Sequence, residues 1–212
     1  MHQLARSQEV LGEVQAALKH YQNALDHCPD SEEAQSEKAA IIHNLAIVKA
    51  NQGQVTEAIA LYQQSLELKE SIGNVQGKAA TLHEIARIKA NQGQVTEAIA
   101  LYQQSLELNE QIGDVQGKAA TLHCIAMIKA NQGQVTEAIA LYQQSIDIER
   151  QIGHLAGLPP TLEQLAMLLI TQNGDFQTAI EYLEEALSIR RQLNSPDADS
   201  IEQLLGQIKQ MM

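Results

Sequence analysis

The chain has 212 residues, of which 44% are hydrophobic but only 3% aromatic, with no tryptophan and a formal net charge of −12. That charge repels phosphate backbones and no run of Lys or Arg offsets it, so nucleic acid is not an expected partner. Met1 to Arg6 carries no apolar leader segment and no uninterrupted apolar run reaches bilayer-spanning length, which predicts a cytoplasmic protein without membrane contact.

The string KANQGQVTEAIALYQQS stands at Lys49 to Ser65, at Lys89 to Ser105 and at Lys129 to Ser145, a period of 40 residues. A period of this size marks stacked supersecondary units. In the middle copy Leu82, Ile85, Ala86 and Ile88 recur at helical spacing, Gly93 interrupts, and Val95, Ala98, Ile99, Tyr102 and Leu106 resume the pattern. One unit is therefore a helical hairpin.

In chain order, residues 1–36 form a partial first repeat. His2, Leu4, Ala5 and Gly12 take the places of His43, Leu45, Ala46 and Gly53, so the array starts in mid-helix, as expected of a fragment of a longer array or, alternatively, of a natural chain with a degenerate first repeat. Glu13 to Cys28 is predicted to be its second helix, with Ala17, Tyr21, Ala24 and Leu25 inward, stopped by Pro29-Asp30-Ser31. Three close copies follow at 37–76, 77–116 and 117–156. In each, Gly53, Gly93 or Gly133 closes the first helix. Lys49, Lys89 and Lys129 near the first helix ends, and Glu57, Glu97 and Glu137 in the following first turns, complement the helix dipoles. Asn74 and Asp114 are predicted caps for the next unit; His154 replaces that cap, which predicts a looser start to the fourth unit. That divergent unit, 157–198, carries Pro159-Pro160 and a turn longer by one residue at Thr171 to Asp175. Asn194 to Asp197 breaks it. A last amphipathic helix within 199–212 then covers the exposed apolar flank with Ile201, Leu204, Leu205 and Ile208.

Leu82-x-x-Ile85-Ala86, Gly93 and Ala98-x-x-x-Tyr102 together resemble the tetratricopeptide repeat (TPR) signature, with Lys89 in place of its tyrosine and no closing proline. The second helix instead runs on through Leu108 to Ile112. Extended 40-residue units of this kind are similar to those of the Leu-Gly-Asn adaptor, kinesin light chains and bacterial regulator arrays. The resemblance implies an all-α fold: a right-handed superhelical solenoid of antiparallel helical hairpins, a single domain over 1–212, with first helices lining a concave groove and second helices forming the convex surface.

On that scaffold one edge of each first helix turns inward at i, i+4, i+8: His43, Ile47 and Asn51; His83, Arg87 and Asn91; His123, Met127 and Asn131, flanked by Asn44, Glu84 and Cys124. Between 77–108 and 117–148 five positions differ. The two large chemical changes, Glu84 to Cys124 and Arg87 to Met127, fall on or beside this edge. The expected function is a non-catalytic module that binds a protein or peptide segment there. In the Leu-Gly-Asn adaptor an asparagine of the first helix helps hold the peptide, and only Asn44 matches it. Three alternatives stand beside this reading. The edge residues are solvated positions of duplicated units that have drifted; or the chain is the ligand-sensing arm of a larger regulator; or terminal helices exchange contacts in a self-assembling homo-oligomer.

No nucleophile and base arrangement or phosphate loop suggests an enzyme, and no cofactor is expected. His43, His83 and His123 do not form a metal site. Equivalent positions in successive units are roughly 15–20 Å apart, given packed helices about 8–10 Å apart, against zinc–nitrogen bonds of about 2 Å. Cys28 and Cys124 lie about two repeats apart and are expected as reduced thiols.

Overall fold

The computed structural model describes residues 15–28 apart from Ala17, then Ser31 and residues 34–211, with the backbone alone at Asn173 and Met211. The expectations for Met1 to Gly12, Ala17 and Pro29-Asp30 lie outside these residues. The helices are α1 (residues 18–26), α2 (Gln35–Asn51), α3 (Val55–Ser71), α4 (Val75–Asn91), α5 (Val95–Ile112), α6 (Val115–Asn131), α7 (Val135–Gln151), α8 (Leu158–Leu168), α9 (Phe176–Gln192) and α10 (Ala198–Met211). Among the described residues no strand occurs, and the fold class is all-α, built of antiparallel hairpins. None of these helices is long and apolar enough to cross a membrane.

The hairpins follow from the glycines. Gly53 ends α2 at φ 75°; its N–H donates to the Ala50 carbonyl at 2.9 Å and that of Gln54 to Lys49 at 3.0 Å. Two otherwise orphaned carbonyls are thus satisfied in a turn that only glycine adopts without strain. The second kind of turn repeats the device at Gly73 and then adds a cap: Asn74 Oδ1 accepts from Gly77 N–H at 2.8 Å, as Asp114 Oδ1 does from Gly117 at 2.9 Å. At the fourth unit the cap is lost and the helix starts late, at Leu158 with Pro159 and Pro160 in its first turn. His154 is nonetheless anchored, its imidazole bonded to Glu149 at 2.5 Å. The predicted longer turn is in part helix, because Leu169–Asn173 absorbs the extra residue as a π-helical turn before Gly174.

The chain divides into two compact units, up to Leu108 and from Asn109, with the division inside α5. In the first unit Ala46, Ala58, Tyr62, Ile85 and Ile88 form one buried cluster. Ser65 Oγ donates to the Ala39 carbonyl at 2.7 Å and Ser105 Oγ to Ala79 at 2.9 Å, pinning each second helix to its own first helix. Each such buried bond contributes about 1 kcal/mol. In the second unit Ser145 makes the same bond to Ala119 at 2.9 Å. The cluster there runs from Ala126 and Tyr142 through Leu162 and Leu183 to Ile201, Leu205 and Ile208, so α10 closes onto α9. Lys49–Glu57 and Lys89–Glu97 in the first unit, and Lys129–Glu137 in the second, are ion pairs of 3.1–3.2 Å across the hairpin turn. The dipole complement predicted for these residues is thus also a direct contact.

Candidate functional site

The three candidate histidines are half-buried and engaged in packing. In the first unit the His43 ring meets Tyr62 edge-on with centroids 5.3 Å apart, and His83 meets Tyr102 at 5.1 Å. His43 Nδ1 lies 3.1 Å from Thr81 Oγ1, on the first helix of the next hairpin. Thr81 gives its single proton to the Gly77 carbonyl at 2.8 Å and accepts from Lys69 Nζ at 2.8 Å, so His43 is the donor and its proton sits on Nδ1. Burial, followed by the Lys69 charge, lowers the His43 pKa to about 4 against the weaker pull of Glu84. Burial lowers His83 as well. In the second unit His123 meets Tyr142 edge-on with centroids 5.6 Å apart, and its Nδ1 lies 2.9 Å from Thr161 Oγ1. His43 and His123 therefore join hairpin to hairpin, which sequence spacing could not show.

The remaining edge positions differ between units. In the first, Ile47 packs against the Ala46 cluster, Asn44 is half-buried, and Asn51 and Asn91 are exposed at helix ends. Arg87 is held by Glu84 through two bonds, Nε at 3.0 Å and Nη2 at 2.6 Å, to one carboxylate oxygen. Tyr62 is fully buried below them, and its hydroxyl has no hydrogen-bond partner among the described residues. Burial and the Glu84 charge push its pKa up. Tyr62→Phe should therefore leave the chain as stable or raise stability by about 1 kcal/mol, read from urea midpoints, since it removes a desolvated group and loses no bond.

In the second unit the same edge opens into a cavity of about 230 Å³ between α6 and α8. Met127 and Asn131 line it from α6, Gln164 and Met167 from α8, and Thr171 and Gln172 from the π-helical turn, above Tyr142. Cys124 is half-buried and is not part of this lining. Met167, Gln164 and Gln172 were not among the sequence candidates. The signal for Met167 was its position, 40 residues after Met127 in the register of Ile47 and Arg87.

A second set of residues was also missed. Lys69, Asn109 and Glu149 occupy equivalent positions near the ends of second helices, and all three are buried. Each lies against a glycine opening the next first helix. A Cβ at Gly77 would come within 2.9 Å of the Lys69 side chain, one at Gly117 within 2.9 Å of Asn109, and one at Gly157 would run into the Glu149 carboxylate. Burial pulls the Lys69 pKa down to about 8. Among the described residues no cluster of His, Cys, Asp or Glu could hold a metal ion.

No curated protein matches the chain. Among solved structures it is similar to the Podosopora anserina putative kinesin light chain with nearly identical TPR-like repeats, at 27% identity, covering 91% of this chain and 94% of that one, with a TM-score of 0.61. BtubC (BKLC) from P. vanneervenii superposes with a TM-score of 0.72 at 20% identity, over 90% of this chain and 78% of that one. The Rap conjugation gene regulator of plasmid pLS20, solved in complex with the Phr* peptide, gives a TM-score of 0.80 at 13% identity. That match covers 97% of this chain and 56% of the regulator. A family model described as tetratricopeptide repeat matches residues 1–71, 37–111, 77–151 and 117–192 in overlapping windows. With hairpins, small-residue helix contacts and family windows in agreement, the chain belongs to the tetratricopeptide repeat family.

Proposed function

We propose that this chain is a non-catalytic, cytoplasmic protein-interaction module in which the first-helix edge of each unit holds a peptide or protein segment. The observation that carries the proposal is the cavity at Met127 and Asn131, which lies where near-identical repeats differ most in chemistry. A family of protein-interaction repeats and a structural neighbour solved with a bound peptide support it. Within this reading His43 and His83 brace the edge of the first compact unit and His123 that of the second, while Ile47, Asn51, Arg87 and Asn91 in the first and Met127 and Asn131 in the second are the positions open to a guest.

Selection of a displayed random-peptide library on the intact chain tests this. Enriched peptides should lose at least tenfold in affinity with Arg87→Ala or Met127→Glu, while helicity and the thermal midpoint stay unchanged. Parallel loss of binding and stability, or enrichment indifferent to both substitutions, would overturn the reading.

A further inference from the structure

The cavity between α6 and α8 has a lining chemistry that narrows what it would take. Met127 and Met167 are 37% and 38% exposed, although Leu122, Ile125 and Ile128 of α6 and Leu158, Leu162, Leu165 and Leu168 of α8 are buried. No Lys, Arg, Asp, Glu or His lines the cavity. Its polar groups include the carboxamides of Asn131, Gln164 and Gln172. At about 230 Å³ it lies below the 300–1,000 Å³ usual for small-molecule sites, so it suits one side chain better than a whole ligand.

We infer that this cavity is an anchor pocket for a single uncharged, apolar side chain of leucine-to-phenylalanine size, presented by a segment bound in extended conformation. The inference rests on the interaction reading above and adds the chemistry of the guest. Apolar: two thioether side chains are unbranched and polarizable, and they mould to an aliphatic or aromatic group. Uncharged: a charge entering a lining without ionic partners gives up hydration that neutral carboxamides replace only in part. Extended: a carboxamide both donates and accepts, as an unpaired main-chain N–H and C=O require, whereas a helical guest has already paired those groups. The rim is also local to this unit. The π-helical turn that brings Gln172 into the lining follows α8, and the equivalent rung of the first unit carries the Arg87–Glu84 ion pair.

The test uses the full chain labelled with 13C at the methionine methyls, with the Met127 and Met167 signals assigned through Met127→Leu and Met167→Leu. The probes are N-acetyl-leucine N-methylamide and the corresponding aspartate and lysine derivatives. The leucine probe should shift both methyl signals saturably, the charged probes should bind at least tenfold more weakly, and Gln164→Ala should weaken the leucine probe severalfold. Equal response to charged probes, or no saturable shift at either methyl, would overturn the pocket. If selected peptides still bind through Arg87 in that case, the broader interaction reading stands; if peptide selection fails while the leucine probe saturates, the broader reading falls and the pocket remains.

Discussion

Replacing Ala58 by leucine should destabilise the chain by about 1–3 kcal/mol, because overpacking a close-fitted contact forces side chains off rotamer and shifts backbone. Ala58 is fully buried and belongs to the same cluster as Ala46, Tyr62 and Ile85. Two alanines in that cluster let α3 lie close to α2, and the close approach brings Ser65 Oγ within 2.7 Å of the Ala39 carbonyl. A leucine adds three carbon atoms where no space remains. It pushes the helices apart and stretches the serine bond, so the loss exceeds what steric strain alone would give. For a chain of this size the midpoint of thermal unfolding should fall by about 3–10 °C. Ala60 is the control: it lies on the same helix but is exposed, and its replacement by leucine should change stability by less than about 0.5 kcal/mol. Equal midpoints for the two variants, measured by circular dichroism, would mean that α2 and α3 do not pack in this register.

The hairpins were legible because their determinants are local. Gly53 and Gly73 terminate helices through bonds to residues three to five positions back, and Asn74 caps through Gly77, three positions on. Such short-range chemistry repeats whenever the letters repeat. The candidate edge was legible only in part. Met127 and Asn131 line a cavity, but His43 and His123 of the same edge are committed to partners 38 residues away, at Thr81 and Thr161. The helical period places His43 on a side of α2; it does not say that the next hairpin covers that side. Lys69 was less legible still. A lysine near a helix end, between Glu67 and Glu70, reads as a solvated charge, yet it is buried against Gly77 and Thr81. The π-helical turn escaped for a related reason, since an inserted residue is read as added loop unless flanking packing holds it in the helix.

The buried lysine leads to the second large effect. The Lys69 ammonium is buried, its hydrogen-bond partner among the described residues is the Thr81 hydroxyl, and burial lowers its pKa from 10.5 to about 8. Below pH 8 the folded and unfolded chains are both protonated at Lys69, so the fold bears the whole cost of the buried charge. Between pH 8 and 10.5 the unfolded chain binds more protons, and stability rises with pH until that cost is gone. A shift of this size corresponds to on the order of 3 kcal/mol. His43 adds a second step of the same sign. Its folded pKa, about 4 against 6.5, favours the neutral ring, so stability is lost as pH falls from 6.5 to 4. Stability should therefore climb in two steps, flat with respect to these groups between pH 6.5 and 8. Lys69→Asn installs the residue that the next junction already accommodates against Gly117. It should raise stability at pH 7 by about 1–3 kcal/mol, because an amide replaces a desolvated cation, and it should abolish the upper step. The lower step should end above pH 4, since the cation that helps hold His43 down is gone. Urea midpoints followed at 222 nm from pH 3.5 to 11 separate these outcomes. An upper step that persists in Lys69→Asn would assign it to another group and refute the buried charge as its source.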